Sequence, residues 1–205
     1  PDEFTATRDR SWGIRPVGEP VGAGRYAGEI EPSLHWFWVP LRFPDFSTIV
    51  IIQEEPDGFR TLNDAVRLWP ADSGRGPEQV GWPSIDVTYK SGTRFPERAT
   101  IHLATRDREP LTIDVELLGN MPLNVGCGYG ADPDWAHGEW KGRDWVERVT
   151  YDLTDESVAG RLPFAVTDHV ARATCNGQVG YGIFEHASIG VHTPSGFPEF
   201  FSVAP

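Results

Sequence analysis

Short apolar runs alternate along the chain with clusters of glycine, proline, asparagine and aspartate, and most of the runs have a period of two. In residues 111–117, for example, apolar side chains occupy every second position. Such alternation is typical of a strand with one buried face. No segment of ten or more residues shows a convincing helical repeat. The pattern predicts strands at residues 3–7, 34–43, 48–53, 59–69, 84–90, 99–105, 111–117, 146–153, 168–175 and 178–191.

Two turn sequences, Pro56-Asp57-Gly58 and Asn176-Gly177, predict hairpins between neighbouring runs. About nine to eleven antiparallel strands are therefore expected. They fit one domain of residues 1–205, because an all-β unit often has this length. Closing the sheet into a barrel removes its edges and leaves an interior for one small ligand, as in lipocalins. We predict an all-β, antiparallel, lipocalin-like β-barrel.

Charge and hydropathy limit the partners. The chain has 30 acidic against 18 basic residues, a formal net charge of -12, and no basic stripe. Nucleic acid and anionic membrane surfaces are therefore not expected as partners. No apolar run approaches the ~20 residues that span a bilayer, so membrane insertion is not expected either.

The two cysteines, Cys127 and Cys175, are too few for a disulfide framework and are not spaced as a zinc site. This predicts a reduced compartment and a cytoplasmic location, and it leaves a single bridge between the two as an alternative. The chain begins at Pro1 without a signal-peptide pattern or an initiator methionine. We therefore expect a processed, trimmed or excised piece of a longer protein.

Reactive and aromatic side chains are densest in residues 126–145, which also contain five glycines. This mixture suits the rim of a pocket, because glycine permits sharp turns and indole rings give large apolar surfaces with one donor each. His137 and Glu139 share a face if this segment is extended, as an acid/base pair requires. Asp132 and Asp134 flank a proline, which is also ordinary turn chemistry. The spacing matches no standard zinc motif, and neither a metal nor a cofactor is expected.

The last long strand places Glu185 and His186 on opposite faces. We expect the face that carries Tyr181 and Glu185 to enter the barrel and to bring a phenol and a carboxylate into one cavity. The alternative is a structural strand whose polar groups bond to neighbouring backbone. A serine nucleophile is not predicted, because the chain has no GxSxG motif and Ser195 lies in a turn sequence.

Five motifs occur in a characteristic order: RDRSWGIR at 8–15, HWFW at 35–38, NDA at 63–65, HGEWKG at 137–142 and GYGIFEHASIG at 180–190. In this order they resemble the carotenoid 1,2-hydratase (hydroxyneurosporene synthase) and AttH-like superfamily. The resemblance covers most of the chain, but only the second half of the family's proteins, which consist of two lipocalin-like barrels. It implies that a partner chain supplies the first barrel.

The hydratase members carry an Asp-His-x-Trp-Gly signature and a Tyr-x-Asp pair on the following strand. Here Asp9 and Trp12 match the signature, whereas Arg10 replaces its histidine and the strand has no acid between Trp36 and Trp38. The resemblance implies an apolar ligand of terpenoid, carotenoid or steroid type in a pocket near Trp12. The predicted ligand-binding residues are Asp9, Arg10, Trp12, Arg15, Trp36, Trp38, Tyr129, Trp140 and Tyr181.

The acid or base is then expected from another part of the chain or from a partner chain, and the candidates in this chain are Asp132, Asp134, His137, Glu139 and Glu185. Our first hypothesis is a cofactor-independent enzyme domain or subunit that hydrates, isomerises or cyclises a hydrophobic small molecule. The alternative is a non-catalytic ligand-binding or assembly subunit that pairs with a first-barrel partner in a hetero-oligomer. A third hypothesis is a carbohydrate-binding β-sandwich, because acids and exposed tryptophans also bind sugars.

Overall fold

The computed structural model describes residues 6–10, 33–127, 132, 134, 141–161 and 165–205. Nine strands form one antiparallel sheet in the order β4-β3-β2-β1-β9-β8-β7-β6-β5. A one-turn helix, α1, precedes β8. The elements are β1 Leu34–Arg42, β2 Ser47–Glu54, β3 Arg60–Leu68, β4 Glu78–Gln79, β5 Ser84–Tyr89, β6 Pro96–Ala104, β7 Pro110–Pro122, α1 Glu156–Ala159, β8 Thr167–Cys175 and β9 Gln178–Ile189.

The sheet curls into a lipocalin-like half-barrel, so the predicted fold class is confirmed. Val80 links the two edge regions of this sheet through backbone hydrogen bonds. The Val80 amide donates to the carbonyl of Ala65 on β3, and the Val80 carbonyl accepts from the Ala104 amide on β6, both at 3.1 Å. Val80 is fully buried. The short segment after β4 therefore replaces a direct strand pairing and brings the edges of the sheet together.

The core lies on the concave face, where alternate residues of the strands point inward. Ile85 and Val87 pack against it, and Ile101, Leu103 and Leu111 are buried in it, as the alternation predicted. The first strand contributes Phe37, Val39 and Leu41, which all lie inward. Buried area of this kind stabilises the fold by about 25 cal/mol per Å² of apolar surface.

Strands β1 and β9 approach each other unusually closely. A Cβ atom on Gly182 would lie 2.0 Å from the carbonyl oxygen of Pro40, inside any real contact distance. Glycine is therefore required at this position for close backbone approach. The same strand begins after Asn176 and Gly177, whose φ angles of 48° and 76° suit the predicted hairpin turn.

Arg94 fastens the C-terminal segment to the barrel. Its guanidinium donates hydrogen bonds to the carbonyls of Ser188, Gly190, Glu199, Phe200 and Ser202. Burial lowers the pKa of this group. The carbonyl dipoles thus stabilise a partly buried cation and hold residues 199–202 against the end of β9.

Several local predictions were wrong. Residues 146–153 form no strand; Val146 is 89% exposed, so the segment has neither a partner strand nor a buried face. β4 and α1 were missed because two residues and four residues are too short to show a period. The strand predicted at 3–7 lies mostly outside the described residues.

Cys127 and Cys175 are both free thiols, so no bridge joins them. Within the described part of the chain, no helix is long and apolar enough to cross a membrane.

Candidate functional site

Two carboxyl groups lie opposite each other on the convex face of the sheet. Asp168 on β8 and Glu185 on β9 are directly paired in the strand register. We call them the acid pair. From β1, the indole Nε1 of Trp36 donates a hydrogen bond of 2.6 Å to Oε1 of Glu185. Three neighbouring strands thus fix a carboxyl group between a second carboxyl group and an indole donor.

The pKa of Glu185 is raised from its ordinary 4.5 to about 7. Burial is the main cause, because it penalises the carboxylate. The hydrogen bond from Trp36 opposes the rise, whereas the charge of Asp168, a hydrogen bond between the two carboxyl groups and the charge of Asp9 add to it. Glu185 consequently exchanges its proton near neutral pH, as a general acid or base requires.

Asp168 has a raised pKa as well. Burial is again the main cause, and the hydrogen bond with Glu185 opposes it. Its Oδ1 atom is buried and has no hydrogen-bond partner among the described residues. Burial raises the pKa of the Cys127 thiol, and the charges of Asp132 and Asp168 act in the same direction. This thiol is therefore held protonated and is a poor nucleophile.

The inward orientation predicted for Glu185 was wrong. Phe184, His186 and Ser188 point to the core, and the face with Tyr181 and Glu185 is convex. Tyr181 is 47% exposed and lies four residues from Glu185 along the strand, so the two do not share a cavity. The alternation alone could not decide between the faces, because each carries one ionisable group next to apolar ones.

The aromatic strand β1 places its tryptophans on the convex face. Trp36 and Trp38 pair with Ala187 and Glu185 and therefore face outward, whereas His35 and Phe37 face inward. Trp36 nevertheless joins a predicted acid, and the charge of Asp9 acts on the same carboxyl. Three predicted site residues, Asp9, Trp36 and Glu185, are thus brought together outside the barrel.

Asp134, one of the candidate acids, is held by two hydrogen-bond donors. It accepts hydrogen bonds from Arg161 Nη1 at 3.0 Å and from the Tyr151 hydroxyl at 3.1 Å. The bond from Arg161 is the main cause of its lowered pKa. A carboxylate held ionised in this way is an unsuitable general acid. Asp132 accepts the backbone N–H of Asp134 at 3.0 Å, which is the turn chemistry that was the alternative.

The remaining predicted residues are less informative. Arg10 is exposed in the segment 6–10. Six others lie outside the described residues, namely Trp12, Arg15, Tyr129, His137, Glu139 and Trp140.

A second group of ionisable residues lies inside the barrel and was not predicted. His35, Glu54, His186 and His192 converge near one end of the interior; we call them the inner histidine cluster. The cluster borders a cavity of about 410 Å³, to which Arg60, Tyr89 and Ser195 also contribute. Long-range pairing of strands assembles it from positions that are far apart in the sequence, so local motifs gave no signal.

His192 is fixed on both sides of its ring. Its Nδ1 lies 2.8 Å from the hydroxyl of Ser195, and its Nε2 lies 3.0 Å from Oε2 of Glu54. Oε1 of Glu54 accepts from Nε of Arg60 at 2.8 Å. Burial is the largest influence on the Glu54 pKa and raises it, but these bonds outweigh it, so the net pKa is lowered. Ser195 therefore contacts a histidine although its sequence is that of a turn.

The other two histidines of the cluster are kept neutral. Burial lowers the pKa of His35 to about 3 and that of His186 well below its ordinary value. The ring of His35 stacks on that of His192, with centroids 3.5 Å apart and an interplanar angle of 11°. Nε2 of His186 lies 3.3 Å from the hydroxyl of Tyr89, whose pKa burial raises to about 12.

Comparison with known proteins gives a family. No curated protein and no solved structure matches the chain. The model of one protein family, described as a family of unknown function, DUF8625, matches residues 1–198. Since the match covers nearly the whole length, the chain belongs to the DUF8625 family.

Proposed function

We propose that the protein is an enzyme that transfers a proton to or from a hydrophobic small molecule, with Glu185 as the proton carrier. The observation that carries this proposal is the acid pair, in which burial and Asp168 raise the pKa of Glu185 to about 7. A carboxyl group with this pKa is half protonated at neutral pH. It can therefore act both as the acid and as the base of a catalytic cycle.

Apolar surface beside the acid pair supports a hydrophobic substrate. Met121 pairs with Asp168 across β7 and β8, and Val170 lies two residues further along the same face. Their exposed fractions are 54% and 57%. An apolar molecule on this surface would lie beside the acid pair, and the resemblance to hydratases of isoprenoid compounds favours a terpenoid, carotenoid or steroid.

The chemistry of a hydration can be written with these groups. Protonated Glu185 donates its proton to one carbon of an alkene, and water adds to the carbocation at the neighbouring carbon. The proton released by that water returns to Glu185. The indole of Trp36 is held against the carboxyl and presents a π system of the kind that stabilises a developing cation. An isomerisation uses the same carrier, with the proton removed from a second carbon.

The test is deuterium transfer from solvent. The protein is incubated in D₂O with farnesol, lycopene or androst-5-ene-3,17-dione, and carbon-bound deuterium is measured by mass spectrometry. At least one probe should incorporate deuterium, and Glu185→Gln should slow this at least about 100-fold. Glu97→Gln, which changes an exposed strand glutamate, is the matched control and should have no effect.

Asp168→Asn separates tuning from catalysis. Removal of the Asp168 charge should shift the pH profile of the exchange to lower pH while leaving the reaction measurable, because this charge raises the pKa of Glu185. No exchange with any of the three probes, or undiminished exchange in Glu185→Gln, would contradict the proposal.

The second candidate function is that of a non-catalytic subunit that binds a partner chain carrying another barrel. The exposed apolar side chains Met121 and Val170 favour it, because such surface is also typical of interfaces. Light scattering on protein purified from its native host is the test. A single species with the mass of one chain would argue against an obligate partner, and a larger complex with a second polypeptide would support one.

A further inference from the structure

We propose that the inner histidine cluster binds a divalent transition-metal ion, with His35, Glu54 and His192 as its protein ligands. One ligand atom from each of the three residues lies within 4.8 Å of the other two. The cluster lies on the concave face of the sheet, opposite the acid pair, so this inference does not rest on the proposed function.

The donor set has the right chemistry. Two imidazoles and one carboxylate are the protein ligands of many catalytic zinc sites and of the 2-His-1-carboxylate iron sites, in which further positions stay open. The three residues come from the start of β1, the end of β2 and the residues after β9. Such separation explains why spacing in the sequence gave no metal motif.

The ligands are buried and one of them has an unpartnered atom. His35 is 4% exposed and His192 is 2% exposed. Nδ1 of His35 is buried and has no hydrogen-bond partner in the described part of the chain. Buried polar atoms in folded proteins nearly always have a hydrogen-bond partner or a ligand, so an unpartnered ring nitrogen at this position is consistent with a bound ion.

Outer contacts already orient two of the ligands. Arg60 donates to Oε1 of Glu54 and leaves Oε2 directed at His192. Ser195 is bonded to Nδ1 of His192, which leaves Nε2 as the coordinating nitrogen. Contacts of this type fix the tautomer and orientation of metal ligands.

Binding requires one movement. The in-plane lone pairs of two parallel, stacked rings do not converge, so His35 must turn out of its stack with His192. The cavity of about 410 Å³ that borders the cluster has room for this rotation and for water at the open positions. The ion then replaces the direct contact between His192 and Glu54.

The experiment is titration of the full 205-residue chain, freed of metal by chelation, with Zn²⁺ and with Co²⁺. Calorimetry should give one ion per chain. Bound Co²⁺ should show visible absorption, and this absorption should disappear when Zn²⁺ displaces the cobalt ion. His35→Gln and Glu54→Gln should each weaken binding at least about 100-fold. The control is His102→Gln, because His102 is an exposed histidine that pairs with Asp86 at 2.9 Å. This substitution should leave the affinity for the metal ion unchanged.

X-ray absorption of the zinc-loaded wild-type protein makes the test independent of whether the variants fold. The expected first shell contains two imidazoles and oxygen donors at zinc–ligand distances of about 2.0–2.2 Å. The proposal is overturned if no ion binds, if His35→Gln and Glu54→Gln fold and bind as tightly as the wild type, or if the absorption spectrum shows fewer than two imidazoles. Any of these results would identify the cluster as a hydrogen-bonded structural group.

Discussion

Replacement of Glu185 by glutamine tests the acid pair without a substrate. The folded pKa is about 7 and the ordinary value is 4.5. Because the folded pKa is raised, the native state holds more protons than the unfolded chain between these values, and stability is lost as pH rises through 7. The wild type should therefore lose about 2–3 kcal/mol of unfolding free energy from this group between pH 5 and pH 8.

Glutamine keeps the shape of the side chain and an acceptor for Trp36 but does not titrate. Urea unfolding of the wild type and Glu185→Gln at pH 5, 6, 7 and 8 measures the difference directly. The variant should gain about 2–3 kcal/mol relative to the wild type over this interval, at unchanged m-value. Glu97→Gln should follow the wild type, since Glu97 is exposed. Parallel pH curves for Glu185→Gln and the wild type would refute the reasoning.

Three further predictions concern stability. Gly182→Ala places a Cβ 2.0 Å from a β1 carbonyl oxygen and should lower the unfolding free energy, measured in urea, by at least about 2 kcal/mol. Gly119→Ala is the control, because the added Cβ meets no atom within 4 Å, and it should cost less than half as much. Equal effects of the two substitutions would contradict the close approach of β1 and β9. A lysine at position 94 cannot donate to all five carbonyls that Arg94 contacts, so Arg94→Lys should lower the unfolding free energy by about 2–4 kcal/mol in the same assay. A loss below about 0.5 kcal/mol would show that these hydrogen bonds do not stabilise the fold. His169 is a buried residue of β8, and burial lowers its pKa to about 4. The unfolded chain therefore binds this proton before the folded protein does as pH falls below 6.5. His169→Phe should remove about 2 kcal/mol of the stability loss between pH 7 and pH 5, and an unchanged loss would exclude a neutral His169.

The strands could be predicted because the sheet has one buried face. In β5, β6 and β7, alternation and burial coincide, and their inward residues were identified from the sequence. The prediction failed at residues 146–153, where apolar residues lie in exposed irregular chain. A short mixed run carries no information on whether a partner strand exists.

The site was predictable only in part. Glu185 and Trp36 were identified as candidates because they lie in strands rich in ionisable or aromatic residues, but the inward orientation predicted for Glu185 was wrong. The orientation of a strand depends on which of its faces meets the core of the assembled sheet. From the sequence alone, the face with Phe184 and His186 is not clearly more apolar than the face with Glu185, so the buried face could not be chosen. Asp168 was overlooked, because its importance follows from its register with Glu185.

The inner histidine cluster could not be predicted for a related reason. Positions 35, 54 and 192 are joined by the pairing of β1 with both β2 and β9, and this pairing is a property of the whole sheet. Locally, His35 is one member of an aromatic strand and His192 is one residue of a turn sequence. Only the assembled fold brings their ring nitrogens close to one carboxylate.

The most direct measurement for the central claim is a ¹³C NMR titration of the side-chain carboxyl groups, with the Glu185 signal assigned by its absence in Glu185→Gln. The acid pair predicts that this carboxyl titrates with a midpoint near 7, and that Asp168→Asn moves the midpoint towards 4.5. A Glu185 midpoint near 4.5 in the wild type, unaffected by Asp168→Asn, would contradict the assignment of Glu185 as a proton carrier.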